Sequence, residues 1–565
     1  MLKKIFTALV LFSVSIGFSA TITVNSQASF DSAHNSAASG DIIKWSSGTF
    51  SNIYMNITKS NITVTAVTLG EVIFNGNSRV TMSGNSINFS GFQYKNGNIG
   101  TNNVISISGS NTIVSDINIS GYTSYKYLII QNACQYVTVK YCNFENRINT
   151  PDQNILSILV GTNPCYHKIQ YCSFKNFVGS NYGGDAGVEP IRIGVSTTAA
   201  NQSRSIVEYC YFTKCDGDGE IISHKATQCI YRYNTFMDNP YGELVLRHGD
   251  QAIVYGNFFI KNKGGVRVQE GKNHILYNNY FNELADRSIF IPADDTDRVE
   301  NVLVAFNTIV KSAYVILGSN NPTYDPINIT LANNIFFEST KGSLFINATG
   351  TETWIGNIAN GTLGITPPSS GITAINPNLS LNPEGYYSLA AASPAINAAQ
   401  SMSLPLSTIP NLTYDHEIKL DIIGTTRPSL ITSKDVGCEE YDASATIQPY
   451  VTEKNTGPRY LMPPLSTQNF IKTIGSDIII YPNPTIEDSL NIEFNLNQEI
   501  NLDVELYDLN GKLINTIINN QSFEIGFHSL SHEVNISSGI YMIQITAKDK
   551  TGNVKATKVE KLIKK

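Results

Sequence analysis

The feature that most constrains the fold is a short motif that returns once per 22 to 28 residues. The segment "YRYNTF" is followed by "YGNFF", "YNNYF", "AFNTI" and "ANNIFF". Their asparagines are spaced by 23, 22, 28 and 27 residues and are Asn234, Asn257, Asn279, Asn307 and Asn334. Each unit has a β-rich run, a turn residue and an apolar pair, with no amphipathic helix between units. A period of this size without helices predicts a parallel β-helix in which each repeat forms one coil.

Stacking explains why the motif recurs. A single coil cannot bury its own apolar face, whereas stacked coils share a continuous core. Neighbouring strands lie about 4.8 Å apart, so equivalent positions form columns along the stack. We expect the repeat asparagines to adopt left-handed turn geometry and to hydrogen-bond to their copies in adjacent coils. The longest departures from the repeat, at 145–165 and 175–205, are expected to be loops that leave the stack.

Three of the cysteines occupy one repeated position in the earlier repeats. Cys142, Cys172 and Cys210 each occur in the motif Tyr-Cys-x-Phe. A repeated inward position favours buried thiols that pack as small apolar residues, with disulfides as the alternative. The Asn-x-Ser/Thr triplets are explained more simply as repeat asparagines than as glycan sites.

With 565 residues, the chain is long enough for at least two domains. Residues 1–20 have a basic start, a short apolar stretch and small residues before the end, which predicts a secretory signal peptide, with a membrane anchor as the alternative. No other stretch is long and apolar enough to span a bilayer. We expect an exported protein with a β-helix over 21–445, ending near "DVGCEEYD" at 435–442, and a proline-containing linker over 446–474.

The pattern changes over residues 475–565. Alternating apolar residues in "SLNIEFNL" and "NLDVELYDL", with Asn510-Gly511 as a hairpin signal, predict a small antiparallel β-sandwich. The segments "YPNP", "LYDLNGKLI" and "GIYMIQI" closely resemble the C-terminal sorting domain of type IX secretion. The resemblance implies transport through the periplasm, release or display at the cell surface by the type IX machinery, and removal of the domain after export. A carbohydrate-binding or adhesive module is the alternative.

Charge is scarce, at 15% of residues, and is concentrated in the central coils. The net charge of -7 and the absence of a long basic tract argue against a nucleic-acid partner. Lys225 and Arg247 are 22 residues apart, and Arg267 follows 20 residues later, so adjacent coils can carry all three on one face. Because stacked cations repel, such a column fits an anionic ligand lying across it. The alternative, which spacing alone leaves open, is a set of ion pairs on a solvated face with Asp218, Glu220 and Glu270.

Four motifs lie around these cations, in the order "GVEPIRIG" (187–194), "EIISHKA" (220–226), "LVLRHG" (244–249) and "GGVRV" (264–268). Together they resemble polysaccharide lyase family 6, the family of alginate lyases and chondroitinase B, over most of residues 21–461. The resemblance implies a right-handed parallel β-helix that cleaves a uronic acid polymer by β-elimination and leaves a 4,5-unsaturated uronate. It implies Lys225 as general base and Arg247 as general acid.

Other residues of these motifs are candidates for binding the polymer's carboxylates. They are Arg192, His248 and Arg267, because arginine suits planar carboxylates. A structural role is the alternative for His248. His224 precedes the expected base in sequence and is a candidate for tuning it, although the family usually has asparagine there.

The same resemblance implies calcium, because a proton beside a carboxylate is removed only if the developing charge is stabilised. The family's acidic pair Glu-x-Glu corresponds here to Asp218 and Glu220. Its asparagine corresponds to Ala186, with Asp185 next to it. Aspartate remains an oxygen ligand that Ca²⁺ accepts. We therefore expect a Ca²⁺ site formed by Asp218, Glu220 and Asp185, in a form that departs from the family pattern.

The leading hypothesis is a secreted lyase that acts on mannuronate-containing alginate. A chondroitin or dermatan sulfate lyase would need additional basic residues in the cleft, and none is evident. A non-catalytic glycan-binding adhesin would not need the spacing between Lys225 and Arg247. A pectin-type hydrolase would need clustered aspartates to activate water, whereas these coils offer a lysine and arginines. The sequence specifies neither endo or exo action nor an oligomeric state.

Overall fold

The computed structural model describes residues 19–564, except 148–152, 179–186, 294–296, 320–322, 403–408, 444–446, 462–477, 484, 486–487, 497, 509–511 and 549–553. Residues 1–18 of the expected signal peptide, residues 462–474 of the expected linker and the Asn510-Gly511 turn lie outside the described residues. The chain divides into two compact units, Met1–Leu461 and Met462–Lys565.

The first unit is a solenoid of three parallel sheets, here called sheets A, B and C, which the chain visits in turn. This confirms the predicted parallel β-helix. Sheet A contains β1 (Thr21–Val24), β2 (Ile42–Trp45), β5 (Thr63–Ala66), β8 (Asn88–Ser90), β11 (Ile113–Ser115), β14 (Thr138–Lys140), β17 (Lys168–Gln170), β20 (Ile206–Glu208), β23 (Ile230–Arg232), β26 (Ile253–Tyr255), β29 (Ile275–Tyr277), β32 (Glu300–Ala305), β35 (Ile327–Ala332) and β38 (Thr353–Ile355).

Sheet B contains β3 (Gly48–Ser51), β6 (Val72–Asn75), β9 (Phe92–Lys95), β12 (Asn118–Ser120), β15 (Asn143–Glu145), β18 (Ser173–Val178), β21 (Tyr211–Asp216), β24 (Thr235–Met237), β27 (Phe258–Ile260), β30 (Tyr280–Asn282), β33 (Thr308–Ser312), β36 (Ile335–Ser339), β39 (Asn357–Asn360) and β40 (Ile372–Ala374). Sheet C contains β4 (Tyr54–Ile57), β7 (Arg79–Met82), β10 (Asn103–Ile107), β13 (Lys126–Ile130), β16 (Leu156–Ile158), β19 (Ile191–Gly194), β22 (Glu220–Lys225), β25 (Glu243–Leu246), β28 (Gly264–Val268), β31 (Arg287–Ile291), β34 (Tyr314–Leu317) and β37 (Phe345–Ile346).

The corner between sheets A and B carries the repeat motif. The residue before each repeat asparagine is left-handed, with φ of 57° at Tyr233 and 66° at Gly256, and the asparagine itself is buried. The expectation that the asparagines themselves take left-handed geometry was therefore wrong by one position. The expected ladder is confirmed: Asn257 Oδ1 accepts hydrogen bonds from the backbone and side-chain N–H groups of Asn234, both at 3.0 Å. The same pair of bonds recurs through Asn279, Asn307, Asn334 and Asn357.

The Tyr-Cys-x-Phe motif occupies the same corner in earlier coils. Cys210 donates its backbone N–H to Asn234 Oδ1 at 2.9 Å, so the asparagine ladder begins where the cysteines end. All eight cysteines are buried and free, as the prediction of buried thiols requires.

Short helices and a small outer layer complete the first unit. The α-helix α1 (Gln27–Ser36) begins at the Ser26 cap and buries Phe30 beside Trp45. Two 3₁₀ turns span Ser196–Thr198 and Ile431–Ser433. In the described part of the chain, no helix is long and apolar enough to cross a membrane.

The parallel strands end at Ala374, earlier than the expected position near 435–442. The described residues that follow, 375–402, 409–443 and 447–461, instead lie outside the corner between sheets A and B, and include the hairpin β41 (Leu379–Leu381) and β42 (Tyr387–Leu389). Cys438 of "DVGCEEYD" belongs to the apolar core beneath this layer, and its backbone N–H donates to Thr308 Oγ1 at 3.0 Å. The segment that was expected to end the last coil is therefore part of the outer layer.

The second unit is an antiparallel sandwich, as predicted. One sheet contains β43 (Ile479–Tyr481), β44 (Ser489–Leu496) and β47 (Gly526–Glu533); the other contains β45 (Ile500–Tyr507), β46 (Leu513–Phe523), β48 (Gly539–Lys548) and β49 (Val554–Lys564). Ile492 of the first sheet and Leu502 and Ile543 of the second are buried in the same core.

Candidate active site

The four motifs meet on the outer face of sheet C. Arg192 pairs with Ser223 on the next strand, Ser223 pairs with Val245, and Val245 pairs with Arg267. Since side chains alternate along a strand, Arg192 and Arg267 belong to one outward column. The adjacent outward column contains Lys225 and, one strand later, Arg247.

Lys225 and Arg247 lie at the ends of neighbouring strands. The backbone N–H of Arg247 donates to the carbonyl of His224 at 2.9 Å, which sets the register of the two residues. Gly194 pairs with Lys225 from the other side, with φ of 80°, and a Cβ at Gly194 would collide with the Lys225 carbonyl. Among the described residues, no ion pair or side-chain hydrogen bond engages the Lys225 amine.

A register shift turns two glutamates onto the same face. Glu220 pairs with Glu243, whereas Ile222 pairs with Leu244, so Ile221 is an extra residue in β22. A β-bulge of this kind changes the direction of the side chain before it. Both glutamates are almost fully buried, with 2% of Glu220 and 1% of Glu243 exposed.

These glutamates and three arginines form a continuous chain of ion pairs. Glu220 Oε1 lies 3.0 Å from Arg247 Nη1 and 3.5 Å from Arg267 Nη2. Glu243 Oε1 lies 3.2 Å from Arg267 Nε, and both Glu243 oxygens accept from Arg287, at 2.6 and 3.0 Å. Part of the alternative interpretation is therefore correct, because Glu220 pairs with the cations. The carboxylates are buried beneath the arginines, however, and do not belong to a solvated face.

The two histidines of the motifs have different surroundings. His248 contacts the carboxylate of the buried Glu270 through Nδ1, at the rim of the face. His224 is fully buried, and its Nδ1 lies 2.9 Å from the Tyr231 hydroxyl. Burial lowers the pKa of His224 to about 3. The alternation of β22 places His224 inside the solenoid and Lys225 outside, so the suggestion that His224 tunes the lysine is not supported.

Asp218 and Glu189 add buried carboxylates beside this face. Asp218 accepts from the backbone N–H groups of Gly187 at 2.7 Å and Glu220 at 2.8 Å. Burial, reinforced by the charge of Glu189, raises the pKa of Asp218 to about 7. Burial also raises the pKa of Glu189, against the opposing effect of Arg192.

The expected calcium ligands are only partly described. Asp185 lies outside the described residues. Asp218 and Glu220 offer the oxygen donors that calcium prefers, and Glu220 Oε2 is buried with no hydrogen-bond partner. Within the described ranges, no three His, Cys, Asp or Glu side chains are grouped so as to hold a metal ion. The donor chemistry thus fits calcium, while the described residues alone do not complete a site.

Several residues of the face were not anticipated from the sequence. They are Glu189, Glu243, Arg287 and, towards the N-terminal side, Lys126. Burial and then the charge of Arg192 lower the pKa of Lys126 to about 7. A signal for Glu243 was present, since it follows Glu220 by 23 residues, one coil length. No comparable signal marks Lys126, which precedes the four motifs.

The ion-pair chain predicts a strong effect on stability at Glu243. Glu243→Ala would leave Arg267 and Arg287 next to each other without the carboxylate that joins them. We expect this change to lower the free energy of unfolding by about 3 kcal/mol, as for a broken buried pair. The urea-unfolding midpoint measures it, with Glu417→Ala as control, because Glu417 pairs with Lys419 at the exposed surface and little or no change is expected there. Equal midpoints for both variants would contradict the structural role of Glu243.

The family model described as Chondroitinase B matches residues 24–362, which is more than half of the chain. The chain belongs to the chondroitinase B family. All four motifs and the whole outer face of sheet C up to Arg287 lie inside the matched residues. The model of the secretion system C-terminal sorting domain matches residues 479–565, which indicates export to the cell surface or the medium.

Three solved structures with a similar fold are described as polysaccharide lyases. The PL6 family alginate lyase AlyGC matches with a TM-score of 0.59 and 22% identity, over 66% of this chain and 56% of that one. The chain thus spans little more than half the length of AlyGC. A mannuronic acid specific polysaccharide family 6 lyase from human gut microbiota matches with a TM-score of 0.54 and 21% identity, over 60% of this chain and 86% of that one.

The PL6 family polysaccharide lyase Pedsa3628 from Pseudopedobacter saltans matches with a TM-score of 0.51 and 20% identity, over 61% of this chain and 92% of that one. At these identities the likeness concerns the fold. No curated protein matches the chain.

Proposed function

We propose that this member of the chondroitinase B family is a secreted alginate lyase that cleaves mannuronate-containing chains by β-elimination. The observation that carries the proposal is the position of Lys225. Its amine lies on the outer face of sheet C without a protein partner in the described chain, one strand from Arg247 and between Arg192 and Arg267. An amine held among fixed guanidinium groups suits proton removal from a substrate that is itself an anion.

In the proposed reaction, the Lys225 amine takes the proton from C5 of the uronate. The electron pair of the C5–H bond forms the C4–C5 double bond, and the bond from C4 to the glycosidic oxygen breaks. Arg247 faces the leaving oxygen and delivers a proton to it. The two side chains come from adjacent strands, so acid and base are held about one strand spacing of 4.8 Å apart at their backbones.

Neutralising the substrate carboxylate is the second requirement. Removing the C5 proton places further negative charge beside this carboxylate, so fixed cations lower the barrier. Arg192 and Arg267 are the proposed contacts, and His248 is a further one at the rim. Arg267 is held by both glutamates, which fixes the direction of its guanidinium before substrate binds. Its side chain remains 22% exposed, so it is accessible to a ligand.

Calcium remains part of this proposal. When bound, Ca²⁺ would be held by Asp218, Glu220 and Asp185 and would supply a Lewis-acid charge for the same carboxylate. The residues of the chain supply the proton transfers independently of it. Because the pKa of Asp218 is raised to about 7, its carboxyl is ionised above neutral pH. The ionised form is the metal ligand, so calcium should bind better above neutral pH than below it.

A substrate panel tests the proposal. The full-length protein is incubated with polymannuronate, polyguluronate, pectin or dermatan sulfate, and the ultraviolet absorbance of the 4,5-unsaturated uronate is followed. We expect a rise with polymannuronate, and a fall in rate after treatment with a chelator that added Ca²⁺ reverses. A rise with dermatan sulfate alone would favour the sulfated-polymer lyase. Binding of a polymer without any rise would favour the adhesin.

A further inference from the structure

The outer face of sheet C continues well beyond the candidate active site towards the N-terminal end of the solenoid. The strands follow in the order β22, β19, β16, β13, β10, β7 and β4, and β4 is the edge strand. Five strand spacings separate β22 from β7, which is about 24 Å. The cations of the active site lie on successive strands of this sheet, so a polymer that contacts them all runs along the solenoid axis and towards β7.

An arginine stacked on a tyrosine lies at that far end. Tyr54 and Arg79 pair directly in the sheet, and the burial pattern of both strands turns their side chains outward. The Arg79 guanidinium carbon is 4.2 Å from the centre of the Tyr54 ring. The Tyr54 hydroxyl lies 2.9 Å from Thr81 Oγ1, and Gln27 holds both backbone polar groups of Tyr54, at 2.8 and 2.9 Å. The pair is therefore fixed in place while Tyr54 stays 39% exposed.

Arg79 has no counterion among the described residues, unlike Arg247, Arg267 and Arg287. Arg247, Arg267 and Arg287 each pair with a buried glutamate. Among the described residues, no carboxylate lies within 4.0 Å of the Arg79 nitrogens. Stacking on an aromatic ring orders the plane of a guanidinium but leaves its in-plane N–H donors available. Such a group is prepared to bind a carboxylate.

A cavity of about 410 Å³ adjoins Arg79. It is lined mainly by side-chain amides and backbone: Asn77, Asn98, Ile99, Gly100 and Asn102. The loop that supplies them is held internally, since Asn98 Oδ1 accepts from the Gly100 N–H and Asn102 Nδ2 donates to the Ile99 carbonyl, both at 3.0 Å. Amides bind sugar hydroxyls as both donors and acceptors. One cation beside several amides suits a sugar ring that carries a carboxylate.

We infer that Tyr54, Arg79 and the amides of this cavity form a remote subsite, here called the Arg79 subsite, that binds a uronate residue of the polymer several sugars away from the bond that is cleaved. The identity of the polymer rests on the proposed function. A second contact on the same chain raises the affinity for long polymers, because binding there is intramolecular once the active site is occupied. A trisaccharide that fills only the active site cannot gain from it.

The test compares long and short ligands in the full-length protein. In Arg79→Ala we expect the dissociation constant for polymannuronate, measured by calorimetry, to rise about tenfold, the loss of one hydrogen-bonded charge. The KM for the polymer should rise similarly, while kcat/KM for a trisaccharide should stay unchanged. Arg79→Lys should restore only part of the affinity, because it keeps the charge without the planar fork. Lys95→Ala is the matched control, since it removes a cation from sheet B in the neighbouring part of the solenoid.

The outcomes separate the subsite from the lyase proposal. If no polymer is cleaved but Arg79→Ala still weakens polymer binding, the subsite stands and the lyase proposal fails. Unchanged polymer affinity in Arg79→Ala would overturn the subsite, whatever the activity. So would an equal loss in Lys95→Ala, which would indicate a diffuse electrostatic attraction, or an equal loss for the trisaccharide.

Discussion

Lys225→Ala is expected to lower the rate of alginate cleavage by about two to four orders of magnitude, the usual contribution of a positioned general base. The reason is chemical, because none of the neighbouring cations replaces the amine: the guanidinium groups of Arg192, Arg247 and Arg267 carry N–H donors and no acceptor for a proton. The measurement is kcat on polymannuronate from the absorbance of the unsaturated product. Stability should hardly change, since the amine has no protein partner in the described residues.

Two further variants show whether this loss is specific. Lys225→Arg keeps a positive charge at the same place and removes the base, so it should be as inactive as Lys225→Ala. Lys168→Ala removes an exposed lysine from the outer face of sheet A and should be fully active. Lys225 is not the base if Lys225→Ala retains a tenth or more of the wild-type rate, or if Lys225→Arg is active.

The register of this site could be predicted from the sequence, because the spacing of the repeats gives the length of one coil. Lys225 and Arg247 are 22 residues apart, and the adjacent repeat asparagines Asn234 and Asn257 are 23 apart, so both pairs span one coil. The columns of side chains follow from this spacing and from the alternation along a strand. The fold class, the buried thiols and the shared face of the cations could all be predicted on this basis.

Features that depend on a break in the alternation could not be predicted. The extra residue at Ile221 turns Glu220 outward, and no residue type in "DGDGEII" signals a bulge at that point. Without the bulge, Glu220 would have the parity of His224 and would point into the core. The ion pairs of Glu220 and Glu243 with three arginines therefore follow from a local backbone irregularity.

Contacts between distant parts of the chain could also not be predicted from the repeat. "DVGCEEYD" resembles one more coil in its composition, yet Cys438 packs under an outer layer on the corner of coils that were formed more than a hundred residues earlier. The contact between Cys438 and Thr308 has no periodic signal in the sequence.

Two roles have to be distinguished for Arg247, proton donor and substrate-binding residue, because arginine is a weak acid and can equally act by binding the substrate. Its side chain is 31% exposed and its guanidinium is tied to Glu220 at 3.0 Å. That bond fixes the direction of the guanidinium. Removing a group that acts only in the transition state lowers kcat and kcat/KM together. Removing a group that binds the substrate equally in the ground state and the transition state raises KM and leaves kcat unchanged.

Arg247→Ala should lower kcat and kcat/KM together, by about two to three orders of magnitude, because the leaving oxygen would lose its proton donor in the transition state. Arg192→Ala is the matched control: it removes a guanidinium from the neighbouring outward column, and it should mainly raise KM. Arg247→Ala leaves Glu220 paired only with Arg267, at 3.5 Å. The thermal midpoint of the variant is therefore measured as well, so that the rates are compared at a temperature at which both proteins are folded. Arg247→Lys retains the charge on a shorter, non-planar group and should recover little of the rate. A raised KM with an unchanged kcat in Arg247→Ala would instead make Arg247 a binding residue and leave the proton for the leaving oxygen to come from solvent.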